Sequence, residues 1–269
     1  MLAPTDPAST PVEVDCSEPP ASPAVDDATR GLAALRPRRG AERLASLIEV
    51  MLCSGFPTQL SVMLGLATAG LSPVAADGGL SLSYITLLSL VDTVVLVSLI
   101  ALFVRVRRDD WRALFLGARP VWREAGLGLA LVPLVLLSVA LLMAAVLRYA
   151  PWLHNVGENP LASLFRNGRD IAIFAFVVVV AGGAREEIQR AFILNRFARD
   201  LGGARFGLVL FSVLFGLGHL LQGFDAALAT GLLGLVWGVL YLSRGSVIAP
   251  MVCHAMFNLT EVIHYGLAG

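Results

Sequence analysis

The chain has no lysine, few cysteines and little charge of either sign. Its 20 basic residues are all arginines, 20 acidic residues balance them, and charged residues make up only 15% of the 269 positions. Without a basic excess the protein cannot hold a phosphate backbone, so nucleic acid is excluded as a partner. Cys16, Cys53 and Cys253 lack CxxC spacing, which argues against a disulfide framework and a thiolate metal site.

Long apolar runs dominate instead, because hydrophobic residues make up 57% of the chain, a share above that of soluble domains. Seven stretches are long enough, at about 20 residues per crossing, to span a hydrocarbon core. They are Ala45 to Leu66, Leu82 to Val104, Ala125 to Leu147, Ile171 to Arg190, Phe206 to Gln222, Phe224 to Leu242 and Ser246 to Leu267. We therefore predict an all-α polytopic membrane helical bundle of about seven transmembrane helices.

The first 40 residues differ from the rest in composition. They are rich in Pro, Ala, Asp and Ser, and six acidic residues precede the first arginine, Arg30. Such a segment is typical of disorder, and it has neither the positive start nor the apolar run of a signal peptide. We predict a disordered acidic cytosolic tail over residues 1–40 and a transmembrane helical domain over residues 41–269.

Arginine placement predicts the orientation. Arginines crowd the segments before the first span, between the second and third, and between the fourth and fifth, whereas the opposite side keeps only Arg148, Arg166 and Arg169. Cytosolic loops hold the excess of positive charge. We expect an integral protein of a bacterial plasma membrane with a cytosolic N-terminus.

Ionisable side chains inside spans are costly and tend to mark functional sites. The predicted spans carry three polar motifs and two isolated carboxylates: Arg185-Glu186-Glu187-Ile188-Gln189-Arg190, Phe215-Gly216-Leu217-Gly218-His219, His254-Ala255-Met256-Phe257-Asn258, and Glu49 and Asp92. Each motif alone also fits a structural ion pair or interhelical hydrogen bond. Glu49 and Asp92 have no such company, and we assign them structural roles.

Spacing assigns these residues to helix faces. Glu186 and Arg190 are four apart, on one helical face, and can pair, whereas Glu187 projects about 100 degrees away and could bond to a different helix. His254 and Asn258 are also four apart and share a face. His219 brings a residue type that can accept or donate a proton near neutral pH.

Glu-Glu followed by Arg, then Phe-x-x-x-His, then His-x-x-x-Asn, on successive helices, resembles the CPBP family, the type II CAAX prenyl proteases and bacteriocin-processing enzymes also called Abi. The resemblance covers roughly residues 125–267. It implies a helical intramembrane fold with a cavity open to the cytosol. It also implies a glutamic endopeptidase in which a glutamate and a histidine activate water without an acyl-enzyme.

The resemblance assigns catalytic roles to Glu186, Glu187, His219, His254 and Asn258, and orienting roles to Arg190 and Phe215. The family motif is usually Glu-Glu-x-x-x-Arg, whereas only two residues separate Glu187 from Arg190 here. Aligning the glutamates makes Glu186 the leading, catalytic one, which we favour. Aligning the arginine places Arg185 and Glu186 at the glutamate positions, so the identity of the base stays open.

In the implied mechanism a glutamate acts as general base to a water that His219 orients. His254 and Asn258 donate to the oxyanion. We expect no cofactor, although His219, His254 and Glu186 are a chemically suitable set for a divalent metal such as zinc.

The expected substrate is a membrane-associated peptide or protein within the lipid bilayer. The main alternative is a non-catalytic scaffold or bacteriocin-immunity-type binding protein of the same family. A third is a small transporter that relays protons through Glu186, His219 and Asp92, although the chain shows no internal symmetry that would favour transport.

Overall fold

A computed structural model describes residues 40–76, 78–157 and 159–268 of the chain. In these residues the prediction of an all-α fold is confirmed, since their β-type pairing is limited to an isolated bridge between Val74 and Leu80. The predicted acidic tail falls on residues 1–39, which lie outside the described part, and on Gly40.

The helices follow one another along the chain as α1 (Gly40–Leu52), α2 (Phe56–Thr68), α3 (Leu82–Val106), α4 (Val121–Tyr149), α5 (Gly168–Val177), α6 (Glu186–Asp200), α7 (Ala204–Leu217), α8 (Phe224–Arg244) and α9 (Ile248–Ala268). Two π-helical segments accompany them, Arg112–Leu116 before α4 and Val178–Arg185 between α5 and α6.

Local sequence accounts for several helix ends. The Ser81 hydroxyl accepts from the backbone N–H of Tyr84 at the start of α3, and the Asn167 side chain accepts from two backbone N–H groups at the start of α5. Both residue types are favoured N-caps because they satisfy otherwise unpaired N–H groups. Helix α8 ends at Gly245, whose φ of 64° is the left-handed conformation that glycine adopts without strain.

In the described residues three helices are long and apolar enough to cross a membrane: α3, α8 and the segment Arg112–Tyr149 that contains α4. The pair α1 and α2, bent by 42° at the break between them, adds a fourth if it forms one span. The predicted count of seven is therefore not confirmed. The apolar helices nevertheless indicate integration into a membrane.

Besides the first span, which is the bent pair α1 and α2, three of the predicted spans differ from the prediction: the fourth, the fifth and the seventh. The fourth is divided into α5, a π-helical segment and α6; the fifth is the 14-residue α7; and α9 carries too many polar residues to count as apolar. A hydropathy pattern does not detect the division of the fourth span, because the valines and glycines of Val178–Arg185 have low helix propensity but do not lower the apolar content.

Ion pairs join the ends of α1, α3 and α6. Glu49, which has no obvious partner in the sequence, accepts from the Arg107 guanidinium at 2.7 Å and from Arg196 at 2.5 Å. Asp109 pairs with Arg196 at 2.7 Å and also with Arg199. These contacts support the structural role assigned to Glu49, and they gather the arginines that follow α3 and end α6 at one end of the bundle.

The remaining helices pack closely around the polar motifs. Helix α9 lies along α4 and the π-helical segment Val178–Arg185, and α7 lies along α8. A Cβ added to Gly216 of α7 would lie 2.6 Å from the carbonyl oxygen of Ala227 and 3.1 Å from Cα of Gly231. The lack of a side chain at these glycines therefore lets the α7 and α8 backbones approach closely.

Candidate active site

The π-helical segment Val178–Arg185 places the first motif against α9. A Cβ added to Gly183 would lie 2.6 Å from Cβ of Ala255, and one added to Gly182 would lie 2.5 Å from Nδ2 of Asn258. Glycine at both positions lets α9 approach closely enough for its polar residues to reach the start of α6, where Glu186 and Glu187 lie.

Glu187 is the buried carboxylate of the pair. Its side chain is 1% exposed, and its Oε1 accepts from the guanidinium of Arg190 and lies 2.8 Å from Nδ1 of His254. The predicted pairing of Glu186 with Arg190 is wrong, because Arg190 pairs with Glu187 three residues earlier. The prediction that Glu187 contacts a different helix agrees with its contact to α9.

Arg190 points into an aromatic pocket, which explains its choice of partner. Its guanidinium carbon lies 5.1 Å from the ring centre of Phe215 and 5.8 Å from those of Phe211 and Trp237. These distances are typical of cation–π contacts. The side chain is fully buried, so its charge is neutralised on the interior side of α6, where Glu187 lies.

Glu186 lies on the accessible side of the site, with its side chain 18% exposed. Its Oε1 is 3.8 Å from Nη1 of Arg185, and its Oε2 is 3.8 Å from Nε2 of His254. Neither distance is that of a hydrogen bond, so both oxygens stay available to a water molecule.

Asp92 has a partner that the sequence pattern does not reveal. The buried Asp92 carboxylate pairs with Nη2 of Arg185, while Nη1 of Arg185 donates to Gln189 at 3.4 Å. This pairing holds the Arg185 guanidinium toward α3 instead of directly on Glu186. The structural role assigned to Asp92 therefore extends to the wall of the site.

His219 was predicted to lie within a helical span, which is wrong. Helix α7 ends at Leu217, with Gly218 as its C-cap, and His219 follows in a turn. Its Nδ1 lies 2.8 Å from the carbonyl oxygen of Phe215 and donates to it, so in the neutral ring Nε2 is an acceptor. The ring also packs edge-on against Phe215 at a centroid distance of 5.1 Å.

A cavity of about 520 Å³ brings the three motifs together. Glu186, His219, His254 and Asn258 all contribute to its lining, together with a largely apolar wall from α3, α4 and α5. A smaller cavity of about 260 Å³ adjoins it and also includes Glu186 and His219. Glu187 and Arg190 line neither cavity, so the two glutamates differ in access to water.

Trp237 of α8 is a site residue that the sequence motifs did not identify. Its ring stacks on the imidazole of His254, with centroids 3.6 Å apart and planes 17° apart, and the side chain is 1% exposed. The imidazole is thereby held between the indole face and Glu187. A tryptophan among many apolar residues gives no local signal of this contact.

The possible metal ligands are not assembled as a binding set. Among the described residues, no group of three or more His, Cys, Asp or Glu side chains is arranged to hold a metal ion. His219 directs one ring nitrogen to a backbone carbonyl, and His254 directs one to Glu187.

Residues 168–260 match the family model described as Type II CAAX prenyl endopeptidase Rce1-like. The matched segment contains all three polar motifs. Comparison with curated proteins and with solved structures gives no significant match. The family match, with Glu186, His219 and His254 around one cavity, supports a relationship to the CPBP/CAAX protease family and suggests membrane endopeptidase activity.

Proposed function

We propose that the protein is an intramembrane glutamic endopeptidase in which Glu186 is the general base. The observation that carries this proposal is the different environment of the two glutamates. Glu186 lines the cavity with both oxygens free of hydrogen bonds, whereas Glu187 is buried between Arg190 and His254. A general base must reach the water that it deprotonates, and Glu186 has that access.

In this mechanism a water molecule binds between Glu186 and His219. Glu186 takes a proton from the water while the water oxygen attacks the peptide carbonyl carbon, and the acceptor Nε2 of His219 orients the second O–H. The resulting tetrahedral intermediate carries a negative oxygen. The proton held by Glu186 then passes to the leaving nitrogen, which completes hydrolysis without an acyl-enzyme.

His254 and Asn258 stabilise the oxyanion. Because the Glu187 carboxylate accepts the Nδ1 proton of His254, Nε2 carries a proton only in the imidazolium form. In the proposed intermediate the imidazolium donates from Nε2 to the oxyanion while Nδ1 stays bonded to Glu187. Removing one oxyanion donor typically costs about 3 kcal/mol of transition-state stabilisation.

We place the site toward the cytosolic face of a bacterial plasma membrane, with the N-terminus in the cytosol. Backbone N–H of Val247 donates to the carbonyl of Phe115, so α9 begins beside the arginine-rich loop that follows α3. His254 lies six residues into α9, about 9 Å along its axis. The substrate in this proposal is a peptide segment of a membrane-associated protein, cleaved at a bond near that face.

Purified protein in proteoliposomes, incubated with a library of membrane peptides, tests the proposal. We expect cleavage by the wild type and none by Glu186→Gln, while Glu42→Gln, an exposed carboxylate on α1, serves as the matched control and stays active. Full activity in Glu186→Gln and His219→Ala would contradict the proposal. A wild type that cleaves nothing but still protects cells in trans would instead support the scaffold or immunity-type alternative.

A further inference from the structure

The cavity of the candidate active site is lined by a second carboxylate besides Glu186, namely Glu261 of helix α9. His254, Asn258, Glu261 and Tyr265 all line this cavity, and their spacing of four, three and four places them on one face of the helix. His254 and Asn258, to which the proposed mechanism gives catalytic roles, lie at the N-terminal end of this row of four residues. Glu261 lies one turn farther along and takes no part in the proposed hydrolysis.

The described part of the chain supplies no ion-pair partner to Glu261. It belongs to none of the ion pairs formed there. His264, three residues later and exposed, interacts with it only at longer range. Each of the structural acids of this fold pairs with an arginine or a histidine, which sets Glu261 apart from Glu49, Asp92, Asp109 and Glu187.

Among the described residues, no arginine lines the cavity that contains Glu261. Apart from the two glutamates and two histidines, its polar side chains are neutral, among them Asn159, Gln222 and Tyr265. A carboxylate in a largely apolar surrounding is costly unless a cation approaches it. The cavity therefore favours a ligand that brings a positive charge to Glu261.

Resting on the proposed endopeptidase function, we propose that Glu261 is a specificity-determining residue that binds a lysine or arginine side chain of the substrate. Glu261 lies about 4.5 Å along the helix axis from Asn258 and about 10.5 Å from His254, at 1.5 Å per residue. An extended peptide advances about 3.4 Å per residue. The basic side chain thus belongs about one to three residues from the scissile bond, and an acidic side chain there is rejected.

Paired peptides that carry Lys, Gln or Glu at these positions test the specificity in proteoliposomes. We expect wild-type kcat/KM to favour the Lys peptide over the Gln peptide on the order of tenfold, the effect of one favourable charge pair. Glu261→Gln brings this ratio close to one, and Glu261→Arg reverses it in favour of the Glu peptide. The control Glu42→Gln keeps the wild-type ratio.

A binding measurement separates this inference from the proposed function. Fluorescent Lys and Gln peptides are titrated against Glu186→Gln and against the double variant Glu186→Gln/Glu261→Gln, neither of which needs to cleave. Preferential binding of the Lys peptide that disappears in the double variant supports the subsite even if the wild type shows no cleavage. Equal binding of both peptides to Glu186→Gln, or a preference that persists in the double variant, overturns it.

Discussion

Nδ1 of His254 lies 2.8 Å from Oε1 of Glu187, which joins the last polar motif of the chain to the first. The same Glu187 oxygen accepts from Arg190. The buried Glu187 carboxylate thus contacts both His254 of the candidate site and Arg190. The first two predictions follow from this arrangement.

Replacing each glutamate should have a different effect: Glu187→Gln should lower stability, and Glu186→Gln should abolish cleavage. Glu187→Gln leaves the Arg190 charge buried without its counter-ion, so we expect the free energy of unfolding to fall by about 3 to 5 kcal/mol. Glu186→Gln should change stability little and abolish cleavage. Denaturant unfolding in detergent and peptide cleavage measure the two effects; a stable, inactive Glu187→Gln beside an active Glu186→Gln would make Glu187 the base.

A side chain that also has an N–H hydrogen-bond donor should partly preserve the activity that depends on His254. His254→Ala removes the proposed oxyanion donor, and we expect kcat to fall about 100-fold to 1000-fold. His254→Gln retains an N–H donor and should recover part of this loss with little change in KM. Single-turnover cleavage measures kcat; equal loss in both variants would show that His254 does more than donate a hydrogen bond.

Trp237 should act on activity through the orientation of His254. Trp237→Phe keeps an aromatic ring against the imidazole, whereas Trp237→Ala removes it and leaves a cavity that costs about 3 to 5 kcal/mol. We therefore expect Trp237→Phe to fold stably with a modest loss of kcat. If Trp237→Phe lowers only stability and leaves kcat at the wild-type value, stacking on His254 contributes nothing to the reaction.

Gly183 should tolerate no side chain, because the π-helical segment touches α9 there. The Cβ of Gly183→Ala would lie 2.6 Å from Cβ and 2.9 Å from Cα of Ala255, so we expect a loss of about 1 to 3 kcal/mol and impaired cleavage. Gly126→Ala on α4, where a Cβ meets nothing within 4 Å, is the matched control. Equal thermal stability of the two variants would contradict the close approach.

Because of Asp109, the free energy of unfolding should fall when the pH becomes acidic. Burial acts to raise the pKa of Asp109, but hydrogen bonds and charges from Arg196 and Arg199 outweigh it, so the pKa is lowered overall. A carboxyl with a depressed folded-state pKa stabilises the fold above its unfolded pKa, about 3.9, and loses that contribution as pH falls through the folded-state pKa.

We therefore expect the wild type to lose more unfolding free energy than Asp109→Asn between pH 6 and pH 2.5. The Asn variant starts less stable at pH 6 because it lacks the charged partner of two arginines. Unfolding curves in detergent across this range measure the difference. Parallel pH dependence in both proteins would show that Asp109 contributes nothing to it.

The arrangement of the polar motifs on helices was largely predictable. Spacing of four placed His254 and Asn258 on one face of α9, and both line the same cavity. That placement depends on local periodicity, which one sequence contains in full. The motif order resembled the family that the match over residues 168–260 supports, and this resemblance rests on known motifs and not on periodicity.

The ion-pair partners were not predictable. Spacing favoured Glu186 as the partner of Arg190, but the aromatic pocket formed by Phe211, Phe215 and Trp237 turns Arg190 toward Glu187. The contacts of Asp92 with Arg185 and of Glu49 with Arg196 join residues about 90 and 150 positions apart. No local pattern indicates which distant charges meet.

By itself the sequence determined the helical class, the membrane character and the three polar motifs of the candidate site, because composition and short motifs are local properties. The tertiary structure alone decided which glutamate is buried and which meets the cavity, and it added Trp237 and Glu261 to that cavity's wall. The reason is physical: the environment of a carboxylate depends on the helices that pack against it, and α9 reaches Glu186 and Glu187 only after the chain has folded.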